Sequence, residues 1–321
     1  MSSYLRTVEE VYARAAAEPD AALCCTRAPA WNLPGLAIPP IMLQMNYGCG
    51  STVDPRDLVE GDTVLYVGVG GGLEALQFAY CTRRAGGVIA VDPVAAMRDK
   101  ARENLAEAAR LNAWFDPQFV RLVDGNALDL PVETASITVV AQNCLFNVFM
   151  STDLGRALGE VFRVLRPGGF FATSDPIAPA PLPEAFRADP IARARCLSGC
   201  QTFDGYIDAL ARAGFGRIDV RDRSPYRCVT PHDYPSLPEP VLLESVEVVA
   251  FKVPADADGP AVFTGRTAIY AGPAETFDDG HGHLLPRGMP VPVSDTAASR
   301  LAALPDVIVT PSTSHGRGGC C

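Results

Sequence analysis

Ten cysteines among 321 residues supply soft, oxidisable nucleophiles, and four of them form adjacent pairs, Cys24-Cys25 and Cys320-Cys321. The same chain carries Val64-Leu65-Tyr66-Val67-Gly68-Val69-Gly70-Gly71-Gly72, an apolar run that opens into glycines. Residues without Cβ let a backbone turn tightly and approach a ligand closely, so this run has the makings of a nucleotide site. Thiols sharing a chain with such a site point to a soft, thiol-seeking substrate. Zinc is the competing use of cysteine, but C-x2-C pairs are absent and the only short spaced pair is Cys196-x3-Cys200. Cys81 and Cys144 sit among apolar neighbours, where small buried fillers are expected.

The elements around these residues follow from periodicity. Residues 4–17 read as an amphipathic helix with Leu5, Val8, Val11 and Tyr12 on one face, and residues 27–48 as a proline-rich loop. From Asp62 strands and helices alternate. Strands are expected at Val64–Val67, Val88–Val91, Phe119–Val123, Ile137–Ala141 and Phe170–Ser174. Helices are expected at Leu73–Arg84, Ala95–Asn112 and Leu154–Leu165, with a turn at Arg166–Gly169. That alternation predicts an α/β fold, a doubly wound, Rossmann-like parallel sheet. After Pro176 the composition shifts to a proline-rich crossing loop, then helices at Glu184–Cys196 and Asp204–Ala213 and a strand at Gly216–Arg221. Strands at Val246–Lys252, Ala261–Phe263 and Thr267–Tyr270 suggest a smaller C-terminal α+β domain, and the polar tail from Ser312 is expected to be mobile.

Composition narrows the partners. A net charge of −10 without a Lys/Arg stripe argues against nucleic acid. No apolar run approaches the roughly 20 residues that span a bilayer, and the first 20 residues lack a signal peptide's apolar stretch. A cytoplasmic location without membrane association is the expectation, and there thiols are more often buried fillers, metal ligands or catalytic groups than disulfides.

Gly68, Gly70 and Gly72 follow a strand and open a helix, and Asp92 ends the next strand. A carboxylate there can accept hydrogen bonds from both ribose hydroxyls, at about 1.5–3 kcal/mol for each charge-assisted bond. Dinucleotides and S-adenosylmethionine both use this arrangement. The loop is G-x-G-x-G rather than G-x-G-x-x-G, which favours the second. Asp124-Gly125-Asn126-Ala127-Leu128-Asp129-Leu130-Pro131 resembles the adenine-contacting turn of class I methyltransferases, and Leu165–Gly169 resembles the turn that closes that fold. Cofactor contacts are therefore expected from Gly68, Gly70, Gly72, Asp92, Pro93, Asn126, Ala127 and Asn143. Two positions depart from the superfamily pattern: Tyr66 stands where the first strand commonly carries an acid, and Asn126 where the adenine turn does.

Within that frame, Leu23-Cys24-Cys25-Thr26, Asn46-Tyr47-Gly48-Cys49-Gly50, Gln142–Asn147 and Arg195-Cys196-Leu197-Ser198-Gly199 resemble arsenite S-adenosylmethionine methyltransferases. They are most similar to the branch linked to arsenosugar biosynthesis, and the resemblance extends over residues 20–300 through Ser245–Lys252, Thr264–Tyr270 and Asp278–His283. It implies arsenic(III), as arsenite or methylarsenite, held by Cys49 and Cys196, with Cys24 or Cys25 as third sulfur or resolving thiol. Arsenic(III) makes up to three bonds to sulfur and keeps a lone pair, which would be the nucleophile toward the sulfonium methyl. Positioning is then the main task, which can contribute about 7–11 kcal/mol. No general base is needed, in keeping with His232, His281, His283 and His315 forming no evident catalytic pair. Methylation takes arsenic formally to the pentavalent state, so a thiol reductant such as glutathione or thioredoxin is implied. Many relatives carry a further cysteine in the segment matching Ser245–Lys252, which has none here, whereas Cys200 and Cys228 lack counterparts. Cys200 follows Cys196 by one helical turn and is balanced between a pocket thiol and a packing residue.

The expected division is an N-terminal cap over 1–50, a cofactor-binding domain over 51–178, an arsenic-binding helical region over 179–228, a C-terminal domain over 229–311 and a Cys-Cys tail over 312–321. Two alternatives stay open: a methyltransferase for a small organic substrate with incidental cysteines, and a sequestering protein without turnover.

Overall fold

Val64–Val67 (β1) is buried on both faces, as an apolar run without alternation requires of a central parallel strand. The computed structural model describes residues 3–23 and 30–313. Around β1 lie Val88–Asp92 (β2), Val120–Asp124 (β3), Ile137–Asn143 (β4) and Leu165–Ala178 (β5), all parallel. Gln201–Thr202 (β6) pairs briefly with β5. Arg217–Val229 (β7), Val241–Phe251 (β8) and Ala261–Phe263 (β9) complete the sheet, in the order β3-β2-β1-β4-β5-β8-β7-β9. Only β8 runs against its neighbours.

Alternate residues of each strand feed two separate cores. Leu65, Val67 and Val140 face Ala157 and Val161 of Ser151–Val164 (α5) and Leu210 of Phe203–Arg212 (α8). Val64, Tyr66 and Val139 face Val11 of Ser3–Ala17 (α1), Leu76 of Leu73–Thr82 (α3) and Leu105 of Ala95–Leu111 (α4). Helices thus cover both faces, and the sheet is doubly wound as expected. The strand order reverses between β1 and β4, the crevice where ligands bind in such sheets.

Several local expectations change. The proline-rich loop contains a short helix, Pro40–Gln44 (α2), started by proline at its first position. The single helix expected over Glu184–Cys196 is two, Glu184–Arg187 (α6) and Pro190–Ala194 (α7). Pro190 cannot continue a helix, and the Asp189 side chain caps the new one by accepting from Ile191 and Ala192 N–H, both at 2.9 Å. β5 runs through Arg166–Gly169 and on to Ala178, with Gly168 at φ 78° absorbing the irregularity. The crossing loop expected from Pro176 therefore begins later.

The C-terminal part is a separate small unit. Thr267–Tyr270 (β10), Pro290–Pro292 (β13) and Val307–Val309 (β14) form a sheet backed by Asp295–Leu301 (α9). Thr276–Asp278 (β11) and Leu284–Pro286 (β12) make a hairpin, and Ala268, Tyr270, Leu285, Ala298 and Leu301 share one core. Asp279 closes the hairpin turn: it accepts from the His281 and His283 N–H groups and pairs with Arg300 and the His283 ring. These hydrogen bonds hold its carboxyl well below the usual range despite burial. Among the described residues no helix is long and apolar enough to cross a membrane.

Candidate active site

The turn after β1 is left-handed at Gly68, Gly70 and Gly72, with φ of 84°, 52° and 86°. A side chain in that region of backbone space is strained, so the glycine pattern has a conformational cause. Asp92, at the carboxyl end of β2, accepts from the Val69 N–H at 3.0 Å and the Val94 N–H at 2.9 Å. Arg98 binds the Asp92 carbonyl at 2.7 Å from α4. Burial pushes the Asp92 carboxyl up to about 6, against backbone donors that lower it.

This corner opens into a cavity of about 420 Å³. The cavity is lined by the glycine loop, Asp92, Pro93, Asn126, Ala127 and Asn143, so every expected cofactor residue reaches it except Gly72, which only shapes the turn. Tyr12 and Leu5 of α1 cover it from the N-terminal side. Among the described residues, Glu9, Glu74, Asp92 and Asp129 face it against a single cation, Arg156. An acid-lined crevice with a carboxylate at the ribose position fits S-adenosylmethionine, which carries a sulfonium and an ammonium group.

The two departures from the superfamily pattern resolve differently. Tyr66 is buried and hydrogen-bonds Glu74; its own burial first, and the adjacent Glu74 second, raise the tyrosine well above its usual range. Glu74 enters from the first turn of α3 and accepts from Thr52 N–H at 2.9 Å, Thr52 Oγ1 at 2.8 Å and Asn143 Nδ2 at 3.1 Å. A carboxylate is thus present beside the strand, supplied two residues after the glycines. Sequence reasoning passed over Glu74, although its place directly after the loop was a usable signal. Asn126 spends its Oδ1 on the Leu128 N–H at 2.9 Å, which shapes the adenine-side turn.

Asn143 lines the cavity, but its amide has a further task. Oδ1 accepts from Cys49 N–H at 3.0 Å, and Nδ2 donates to the Gly50 carbonyl at 2.9 Å. It therefore clamps the Tyr47–Gly50 loop against β4. The flanking glycines leave a Cβ no room unless a neighbour moves: one at Gly48 would lie 2.4 Å from Asn143 Nδ2, and one at Gly50 2.5 Å from Ser174 Oγ. Gly48→Ala is expected to push Asn143 aside and cost about 1–3 kcal/mol of stability, read from the shift in thermal midpoint.

The thiols lie directly behind this wall. Cys49 is fully buried, and its Sγ meets Ser174 Oγ at 3.3 Å, with Ser245 Oγ 3.5 Å farther on. Cys196 is also buried, and its Sγ donates to the Cys144 carbonyl at 2.6 Å. Gly48 and Cys144 line the cavity, whereas Cys49 and Cys196 do not. The two expected arsenic ligands thus share one layer of the core, one residue and one hydrogen bond behind the cavity surface. Cys144 and Cys196 both adopt left-handed backbone, φ 59° and 57°, which costs about 1–3 kcal/mol each for a residue other than glycine. Cys144 is buried in the hydrophobic core, as expected of a packing residue, whereas Cys81 is only half-buried. Cys24, Cys25, His315, Cys320 and Cys321 lie outside the described residues. Among the described residues no three His, Cys, Asp or Glu side chains gather as an ion site.

Beneath the thiols a buried polar knot forms at the end of β5. The Asp175 carboxylate accepts from Tyr206 OH at 2.9 Å, from Thr173 Oγ1 at 3.2 Å and from Gln142 Nε2. Burial pushes it up to about 7. A raised carboxyl binds its proton in the folded state but not in the unfolded chain between about pH 4 and 7, so its contribution favours folding at low pH and fades as pH rises through 7. Asp175→Asn is expected to flatten the fall in thermal midpoint between pH 5.5 and 8.

The strand order, the glycine loop and the acid-lined crevice at the switch point define a class I methyltransferase fold. A sequence profile of the methyltransferase domain matches residues 65–173. More narrowly, the arsenite methyltransferase of Halobacterium salinarum is 35% identical over 176 residues, 55% of this chain and 43% of that protein. The arsenite methyltransferase of Aquipseudomonas alcaligenes is 30% identical over 195 residues, 60% of this chain and 55% of that protein. The chain thus spans about half the length of these curated relatives. The crystal structure of an arsenic(III) S-adenosylmethionine methyltransferase from Chlamydomonas reinhardtii shares the fold, with a TM-score of 0.60 at 24% identity over 89% of this chain and 98% of that one.

Proposed function

We propose that this protein transfers a methyl group from S-adenosylmethionine to trivalent arsenic held on Cys49 and Cys196. The observation that carries this is the pair of buried thiols brought from segments 147 residues apart to the back wall of the cofactor cavity. When bound, S-adenosylmethionine supplies the activated methyl group. The chain's own residues do the rest: Asp92 and the glycine loop hold the cofactor, Asn143 fixes Cys49, and the Cys144 carbonyl orients Cys196. Cys24 or Cys25 supplies the third sulfur or a resolving thiol. Arsenic bound this way keeps its lone pair, so no residue has to act as a base. A water-poor wall also protects thiolate–arsenic bonds from hydrolysis.

In this division residues 51–178 bind the cofactor and 179–228 help bind arsenic. The cysteine-centred motifs favour the arsenosugar-linked branch; in this reading the enzyme is cytoplasmic and is regenerated by a thiol reductant such as glutathione or thioredoxin. Incubation with arsenite, labelled S-adenosylmethionine and glutathione tests the function. Methylated arsenic should form, and its absence at saturating cofactor would refute the proposal.

A further inference from the structure

A second cavity of about 780 Å³ backs onto the first across Phe149, which lines both. Its lining includes Cys200, together with Arg193, Gln201 and Thr202. Cys200 is 7% exposed, while Cys196 is 1% and Cys49 0% exposed, so among these three it alone borders open space. It is also joined to the buried pair. Its Sγ donates to the Cys196 carbonyl at 3.3 Å, and Asn147 Nδ2 approaches it at 3.6 Å while holding the Pro176 carbonyl at 2.7 Å. The loop between the two cysteines has no slack, because a Cβ at Gly199 would lie 1.8 Å from the Asn147 carbonyl oxygen.

We propose that the second cavity is the port through which trivalent arsenic reaches the buried thiols, and that Cys200 is its first ligand. The inference rests on the arsenic-methylating function proposed above. Capture forms an As–S bond to Cys200 and breaks one As–O bond; the thiol proton leaves with the hydroxide as water. Cys196 then displaces a second hydroxide in the same way, again releasing water, and the Cys49 thiol replaces Cys200 on arsenic, its proton passing to the departing Cys200 sulfur. Arsenic stays trivalent throughout and no electrons are exchanged.

The test uses the full reduced chain, arsenite as probe, and alkylation by N-ethylmaleimide followed by mass spectrometry of the cysteine peptides. Without arsenite, Cys200 should label at least tenfold faster than Cys49 or Cys196. In Cys200→Ser, arsenite should protect Cys49 and Cys196 at least tenfold more slowly than in the wild type, whereas Cys228→Ser, at an exposed thiol, should protect at the wild-type rate. Wild-type protection rates in Cys200→Ser, or Cys200 labelling no faster than the buried pair, overturn the port and leave the proposed function standing. If arsenite protects no cysteine in the wild type, the arsenic function itself falls and the port with it.

Discussion

Cys49→Ser and Cys196→Ser are each expected to lower arsenic-dependent methyl transfer by on the order of 1,000-fold. Serine keeps the shape but offers a hard oxygen, and a water molecule displaces an As–O ester where it does not displace As–S. Losing one anchor frees arsenic to tumble, forfeiting much of the about 7–11 kcal/mol that positioning can supply. The matching measurement is cofactor affinity by isothermal titration. Neither thiol lines the cofactor cavity, so S-adenosylmethionine should bind both variants as tightly as the wild type. Unchanged transfer in either variant would favour a small organic substrate, with the cysteines incidental.

Asp92→Ala is expected to weaken S-adenosylmethionine binding by on the order of 100-fold, about 3 kcal/mol for two charge-assisted bonds. The substitution also strips the acceptor from the Val69 and Val94 N–H groups, so the glycine loop loses its brace. Asp92→Asn separates the two effects. It keeps an oxygen for one backbone donor but carries no charge, so it should show an intermediate affinity. Because burial pushes Asp92 up to about 6, the cofactor should bind more weakly as pH falls below that value and the carboxyl takes a proton. Indifference of binding to Asp92→Ala would remove this corner from the cofactor site.

Much of the framework was legible because it depends on short-range patterns. The apolar quartet of β1, the glycines that need positive φ, and the acid ending β2 are all local requirements, and each stands where periodicity put it. Boundaries drifted where a local signal conflicted with pairing. Pro167-Gly168 reads as a turn, yet Lys252 brackets the Gly168–Gly169 backbone through two hydrogen bonds and keeps it in the sheet. Asp189-Pro190 was the reverse case, a break present in the chain but overridden by an apparently continuous helical period.

The thiol arrangement needed the tertiary structure. Residue type marked ten cysteines as soft ligands, and only the resemblance of the segments around Cys49 and Cys196 to arsenite methyltransferases singled out these two. Whether the two meet depends on β4 and β5 lying side by side, so that Asn143, Cys144 and Ser174 form one wall holding both loops. Glu74 is another such case: a charge two residues beyond the glycines acquires meaning only when Thr52, Tyr66 and Asn143 converge on it. Cys200 had even odds from spacing, and its contact with open space follows from how α5, α7 and α8 pack, which no periodicity encodes. Local geometry is written in neighbouring residues, but burial and convergence depend on contacts between distant segments, and those exist only once the chain has closed.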